Sequence, residues 1–183
     1  MEIRLAADLQ KDSIVDGDGI RTVIWTQGCP HNCFGCHNPS THSFEGGALV
    51  DIEDIKAEID ELVFQDGITF SGGDPMCQAE ACCELAKYAV SKGLNIWCYT
   101  GYTYEQLIEM GKKNKNIINF LNCIDVLVDG KFMMELRSLD SKYCGSTNQR
   151  LIDVKKSLAN SCVCLWNDDT NIISFEKSKY LYV

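Results

Sequence analysis

The sequence predicts an α/β protein, a partial and open (β/α) barrel on a parallel sheet of about five or six strands. Three observations carry that expectation. Short β-branched and aromatic runs alternate with stretches of helical apolar periodicity, and a parallel connection needs a crossover of a dozen residues or more, which a helix supplies. Glycine-bearing polar motifs follow directly after the runs, at the strand edge where α/β sheets assemble their sites. Five or so such units are too few to close an eight-stranded barrel.

Taken in order, Ile20 to Trp25 is a β-branched and aromatic run ended by Gly28, a first strand that delivers the cysteine loop behind it. His37 to Leu49 is polar and reads as loop. Asp51 is placed as an N-cap, and Ile52, Ile55, Ile59 and Leu62 recur at helical spacing with acids between them. Gly67 to Phe70 is the second strand. From Gln78 to Lys92 the residues Ala81, Cys82, Leu85 and Ala89 share one helical face, and Gly93 is positioned as the C-terminal cap. Leu94 to Tyr99 is the third strand. Leu107, Ile108, Ile117, Ile118 and Leu121 predict helical segments interrupted near Gly111, Ile124 to Val128 is the fourth strand, and Leu151 to Val154 the fifth. Residues 1–158 are then the barrel domain, and 159–183 an extension packed on it. In that extension Val163 to Trp166, Ile172 to Phe175 and Tyr180 to Val183 read as short strands.

A chain of 183 residues with 45% apolar content can bury a single core. Its formal net charge of −9 opposes attraction to phosphate backbones, so no nucleic acid partner is expected. No apolar run approaches the roughly 20 residues of a membrane span, and no charged region followed by an apolar one opens the chain, so a cytoplasmic protein without membrane contact is expected. Eleven cysteines in such a chain read as reduced thiols rather than a disulfide framework. Most of them sit inside helix or strand patterns as small apolar residues. Cys162 and Cys164 are the exception, and two thiols alone do not specify a metal.

Cys29, Cys33 and Cys36 stand with three and two residues between them, so one tight loop can wrap three thiolates around one cluster. An iron-sulfur cube held by four protein thiolates is coordinatively closed, whereas three leave one iron free for chemistry. Gly35 supplies backbone freedom beside the third thiol, and Pro30 and Pro39 stiffen the ends. The thiols alone leave a zinc site open as an alternative, with His31 or His37 as fourth ligand. In Ser71-Gly72-Gly73-Asp74-Pro75 the glycines let backbone approach a ligand and the carboxylate can pair with an ammonium. Asp16-Gly17-Asp18-Gly19 is not a calcium loop, because Gln27 stands at the twelfth position where a bidentate Glu is required. On their own, Asp129, Lys131 and Asn148-Gln149-Arg150 read as solvated polar loops.

Together, Asp16 to Arg21, Cys29 to Pro39, Ser71 to Pro75, Tyr99 to Tyr102, Val128 to Phe132 and Gly145 to Arg150 resemble the radical S-adenosylmethionine enzymes. Within them the chain is similar to the family that activates anaerobic ribonucleoside-triphosphate reductase. The resemblance implies a barrel of radical S-adenosylmethionine type and a 4Fe-4S cluster on Cys29, Cys33 and Cys36. It implies S-adenosyl-L-methionine held by Ser71, Gly72, Gly73 and Asp74, with Gly35, Cys36, His37 and Thr100 beside it. It moves Asp129 and Asn148 to the rim of that site, with Lys131 and Arg150 as cations near the ligand carboxylate or a partner's terminus. Asp16 and Arg21 would lie close to where the substrate peptide is received. The implied activity is that of an oxidoreductase which cleaves S-adenosylmethionine reductively and leaves a glycyl radical on the large subunit of anaerobic ribonucleotide reductase. A one-electron donor such as flavodoxin or ferredoxin would be a second partner. Two rival readings are an activator of another glycyl-radical enzyme, such as pyruvate formate-lyase, and a zinc-binding adaptor without catalysis.

Overall fold

The computed structural model describes residues 1–166. Its centre is one sheet. Strands β1 (Glu2–Leu5), β2 (Gln10–Ser13), β3 (Arg21–Thr26), β4 (Ala48–Asp51), β5 (Gly67–Gly72), β6 (Asn95–Tyr99), β7 (Val126–Asp129) and β8 (Arg150–Asp153) form it. The order is β4-β1-β3-β5-β6-β7-β8, with β2 also paired to β3. Between them lie helices α1 (Ile52–Asp60), α2 (Ala79–Ser91), α3 (Tyr104–Gly111), α4 (Lys115–Leu121) and α5 (Val154–Asn160).

The four runs expected to be parallel are parallel. Arg21 to Thr26 pair with Gly67 to Gly72, and the register continues through Gly67 opposite Asn95 and Trp97 opposite Val126. The fifth expected strand forms, but it runs antiparallel, with Val126 opposite Asp153 and Asp129 opposite Arg150. The parallel strands among the described residues therefore number four, not five or six, because the connection from β7 to β8 contains only a short 3-10 turn, Met134–Leu136, and no crossover helix. Strands β1, β2 and β4 lie in stretches where no strand was expected. Each is four residues long, and β4 is mostly exposed, so none presents a buried β-branched run.

Alternation along each strand sorts side chains to two faces. Ile24, Ile68, Phe70, Ile96, Cys98 and Leu127 enter the main core beneath the helices, where Phe70 meets Phe120 edge-on at 5.2 Å. Trp97, Val126 and Val128 form a smaller cluster on the other face with Tyr143 and Trp166. The helix ends follow the sequence signals. The Asp51 side chain accepts from Glu53 N, and Gly93, just past α2, has φ +83°. Past α5, Val163 and Leu165 pack against the main core and Leu165 bridges to Ile152. Ile172 to Phe175 and Tyr180 to Val183 lie outside the described residues. No described helix is long and apolar enough to cross a membrane.

Arg21 packs against the turn at Gly17 and Asp18 as a buried structural cation. It opens β3 at the amino-terminal side of the parallel strands and is fully buried. Its guanidinium donates to Thr69 Oγ1 at 2.6 Å, Asn95 Oδ1 at 2.7 Å and Ile68 O at 2.8 Å, and it lies over the Trp97 ring. Burial pulls its pKa down to about 10, which still leaves it charged at neutral pH. Arg21→Lys, which cannot reproduce the fork of donors, is expected to cost about 3 kcal/mol. Urea denaturation would measure this, with iron and sulfide content unchanged.

Candidate active site

The carboxyl ends of β3, β5, β6 and β7 each feed a loop, and these loops surround one cavity of about 140 Å³. Cys29, Cys33 and Cys36 line it together with His37, Ser71, Gly72, Gly73, Thr100 and Gly101. The root of the cysteine loop is fixed by backbone. Gly28 N donates to Thr41 O at 2.8 Å, Cys29 N to His42 O at 3.1 Å and Cys36 N to Cys33 O at 3.2 Å. Gly35 has φ +73°, so the turn favours glycine, and a Cβ there would stand 2.8 Å from Met134 Cε, which would have to shift.

The glycine pair after β5 docks this loop. Gly73 N donates to Thr26 O at 2.6 Å and Asp74 N to Gly28 O at 2.8 Å, which continues the pairing of β3 with β5 beyond the strands. A Cβ at Gly72 would meet Thr26 O at 2.5 Å, and one at Gly73 would meet Gly28 O at 2.4 Å. No side chain fits between these backbones.

Asp74 differs from the expected ligand contact. Its carboxylate is fully buried and is occupied by protein donors. Met76 N donates to Oδ1 at 3.0 Å, Gly101 N to Oδ2 at 3.0 Å, and the Thr100 hydroxyl lies 2.9 Å from Oδ2. His31 Nε2 lies 2.6 Å from Oδ2. The His31 ring rests on Gly101, where a Cβ would be 2.3 Å from its Cδ2, and meets Tyr102 edge-on at 4.4 Å. Asp74 therefore ties together the cysteine loop, its own loop and the loop after β6. His31 was legible only as a possible zinc ligand, since nothing in the sequence pairs it with a residue 43 positions away.

Asp129 and Arg150 are likewise committed to each other. Asp129 is buried and accepts from Tyr104 N at 2.8 Å and from Arg150 Nε at 3.0 Å, while the same guanidinium reaches both oxygens of Glu105 at 3.0 and 2.8 Å. Arg150, expected as a cation near the ligand carboxylate, is thus already paired with two protein carboxylates. The hydrogen bond that Arg150 donates to Asp129 holds its pKa well above the ordinary value despite burial. Lys131 is exposed, and its carbonyl accepts from Asn148 Nδ2 at 2.8 Å. Gln149, which sequence reasoning did not single out, donates to Gly130 O at 2.9 Å and accepts from Gly145 N at 2.9 Å, closing the side of the cavity it lines. Asp16 accepts from the Ser13 hydroxyl and lies in an adjoining depression that shares His37, Tyr99 and Gly145 with the cavity.

The donor set can be tested against its two candidate occupants. Zinc needs four ligands within about 2.0 to 2.3 Å of one point. Among the described residues no three His, Cys, Asp or Glu side chains are grouped to hold a single ion, and His31 is committed to Asp74. Three free thiols around one cavity fit a larger group bonded at separate corners. Burial raises the pKa of Cys29 and of Cys33, a cost that metal coordination overcomes by taking the thiolate outright.

Comparison with known proteins agrees with this donor set. The family model described as a 4Fe-4S single cluster domain matches residues 15–152. The anaerobic ribonucleoside-triphosphate reductase-activating protein of Salmonella typhi is 36% identical over 144 residues, 74% of this chain and 90% of that one. The proteins of the same name from Haemophilus influenzae and Escherichia coli K12 are 33% and 34% identical, over 74% of this chain and 89% and 90% of theirs. With the three-thiol cavity and this coverage, the chain belongs to the family of anaerobic ribonucleoside-triphosphate reductase-activating proteins.

Proposed function

We propose that this protein activates anaerobic ribonucleotide reductase by placing a glycyl radical on its large subunit, and that the open sheet is a partial barrel of the radical S-adenosylmethionine type. The observation that carries the reading is the single cavity at the carboxyl edge of the parallel strands, lined by three thiols and by Gly72 and Gly73. In this reading Cys29, Cys33 and Cys36 hold a 4Fe-4S cluster, and its remaining iron is left for S-adenosylmethionine. When bound and reduced by one electron, from a donor such as flavodoxin or ferredoxin, the pair supplies a 5'-deoxyadenosyl radical that takes a hydrogen atom from a glycine.

The chain's own residues bind, orient and shield. Gly35, His37, Ser71, Gly72 and Gly73 offer backbone to the methionine end of the ligand, with Thr100 and Asn148 beside it. Asp74, Asp129 and Arg150 act through the loops they join rather than by touching the ligand. Lys131 is the exposed cation at the rim. Asp16 lies on the side where the partner's glycine segment is received. The exposed side chains of Phe34, Val15 and Leu139, at 84%, 70% and 88%, offer that partner an apolar surface. A protein partner then excludes water from the cavity while the radical is present.

The test is anaerobic. Reduced, reconstituted protein with S-adenosylmethionine and the host's reductase large subunit is expected to give 5'-deoxyadenosine and a doublet in electron paramagnetic resonance. Replacing the target glycine by alanine should abolish the doublet. Cleavage of the ligand with no radical on the reductase would overturn the reading and favour another glycyl-radical enzyme as the partner.

A further inference from the structure

His42 lies outside the cysteine motif yet belongs to its loop. Its carbonyl accepts from Cys29 N at 3.1 Å, the neighbouring Thr41 carbonyl accepts from Gly28 N at 2.8 Å, and Thr41 is itself buried. The ring is also held, with Nδ1 3.1 Å from Oδ1 of Asn32, a residue between the first two cysteines. His42 lines the same cavity as Cys29, Cys33 and Cys36, and its Nε2 is buried without a hydrogen-bond partner among the described residues. A buried ring nitrogen left unpaired is unfavourable, and native structures seldom tolerate one without a reason. As placed, Oδ1 accepts from Nδ1–H, but the Asn32 carboxamide makes no other hydrogen bond among those described, so a half-turn of the amide costs it nothing and presents its NH₂ to Nδ1 instead. With the amide so turned, the ring proton sits on Nε2.

We propose that His42 is a positioning residue for the cluster, its Nε2–H donating a hydrogen bond to a sulfur of the group held by Cys29, Cys33 and Cys36. The inference rests on the cluster reading above. A donor aimed at a cluster sulfur offsets negative charge and favours the reduced state, since hydrogen bonds to the sulfurs are among the factors that set such potentials. The chemistry needs a reduced cluster, so a donor here eases the one-electron step that precedes ligand cleavage. His42 is anchored to the loop through its backbone carbonyl and through its ring, so the bond is preorganised by the fold.

The experiment uses the full chain, reconstituted anaerobically without S-adenosylmethionine, and reads the midpoint potential by electron paramagnetic resonance. His42→Leu is expected to make reduction about tenfold less favourable, a shift of about 59 mV to more negative potential for one electron. His42→Gln, which keeps a donor, should recover most of the shift at the same iron and sulfide content. In the unsubstituted protein, pulsed resonance of the reduced cluster should show a weakly coupled nitrogen that His42→Leu removes. An unchanged potential in His42→Leu would overturn the proposal. So would a nitrogen coupling as large as that of a direct ligand, which would make His42 a fourth ligand instead. If His42→Leu fails to assemble a cluster, the coupling in the unsubstituted protein compared with His42→Gln decides. Absence of any cluster in the unsubstituted protein would instead refute the reading on which this inference rests.

Discussion

Cys33→Ser is expected to leave the anaerobically reconstituted protein without its cluster, with iron, sulfide and brown colour all lost, and Cys29→Ser and Cys36→Ser should do the same. A serine hydroxyl does not ionise as a thiol does, so a corner of the cluster loses its anionic ligand, and with three protein ligands there is no surplus. None of the other eight cysteines lines the cavity with these three. Cys82 and Cys98 are fully buried, and burial pushes their pKa well above the ordinary value. Cys77 lies on the 3-10 turn that begins at Pro75, and partial desolvation of its thiol pushes its pKa up to about 12. Cys82→Ala should therefore keep full iron and sulfide. Retention of the cluster in Cys33→Ser with loss in Cys82→Ala would refute the ligand assignment.

Asp74→Asn is expected to cost about 3 kcal/mol of stability and to weaken S-adenosylmethionine binding tenfold or more, with the cluster still present. The reason is in the two oxygens. Met76 N donates to Oδ1 and Gly101 N donates to Oδ2. Whichever way an asparagine amide is placed, its NH₂ opposes one of these backbone donors, and a buried donor loses its acceptor. The loss of charge also removes the assistance that a carboxylate gives to each bond. Because Asp74 holds Gly101 and His31 in place rather than reaching the cavity itself, the effect on the ligand comes through displaced loops. Denaturant unfolding and calorimetry of the cluster-loaded protein would measure both effects. Equal ligand affinity in the variant would remove Asp74 from any role in the site, direct or indirect.

Much of this architecture was legible in the residues. The runs at Ile20 to Trp25, Gly67 to Phe70, Leu94 to Tyr99 and Ile124 to Val128 became β3, β5, β6 and β7, because a strand buried on both faces shows itself as a continuous apolar run. Asp51 and Gly93 marked helix ends because capping is a local interaction. Strands β1, β2 and β4 were not legible. They are short antiparallel additions whose existence depends on a partner strand rather than on their own pattern. The direction of β8 was also hidden, since Arg150 to Asp153 reads the same whichever way it pairs.

The site divides the same way. Cys29, Cys33 and Cys36 lie within one loop, so spacing alone announced that they act together, and Gly35 and the Gly72-Gly73 pair announced tight backbone. These are features of neighbours in the chain, which sequence by itself determines. Apart from Met76 N, the partners of Asp74, Asp129 and Arg150 are 21 to 45 residues away and come from different elements. Which donor fills a buried carboxylate depends on strand register and loop geometry. Only the tertiary structure could therefore decide that these charges hold the loops together, and that of His31 and His42, both at the cysteine cavity, the first has its Nε2 on a carboxylate and the second leaves its Nε2 without a protein partner among the described residues.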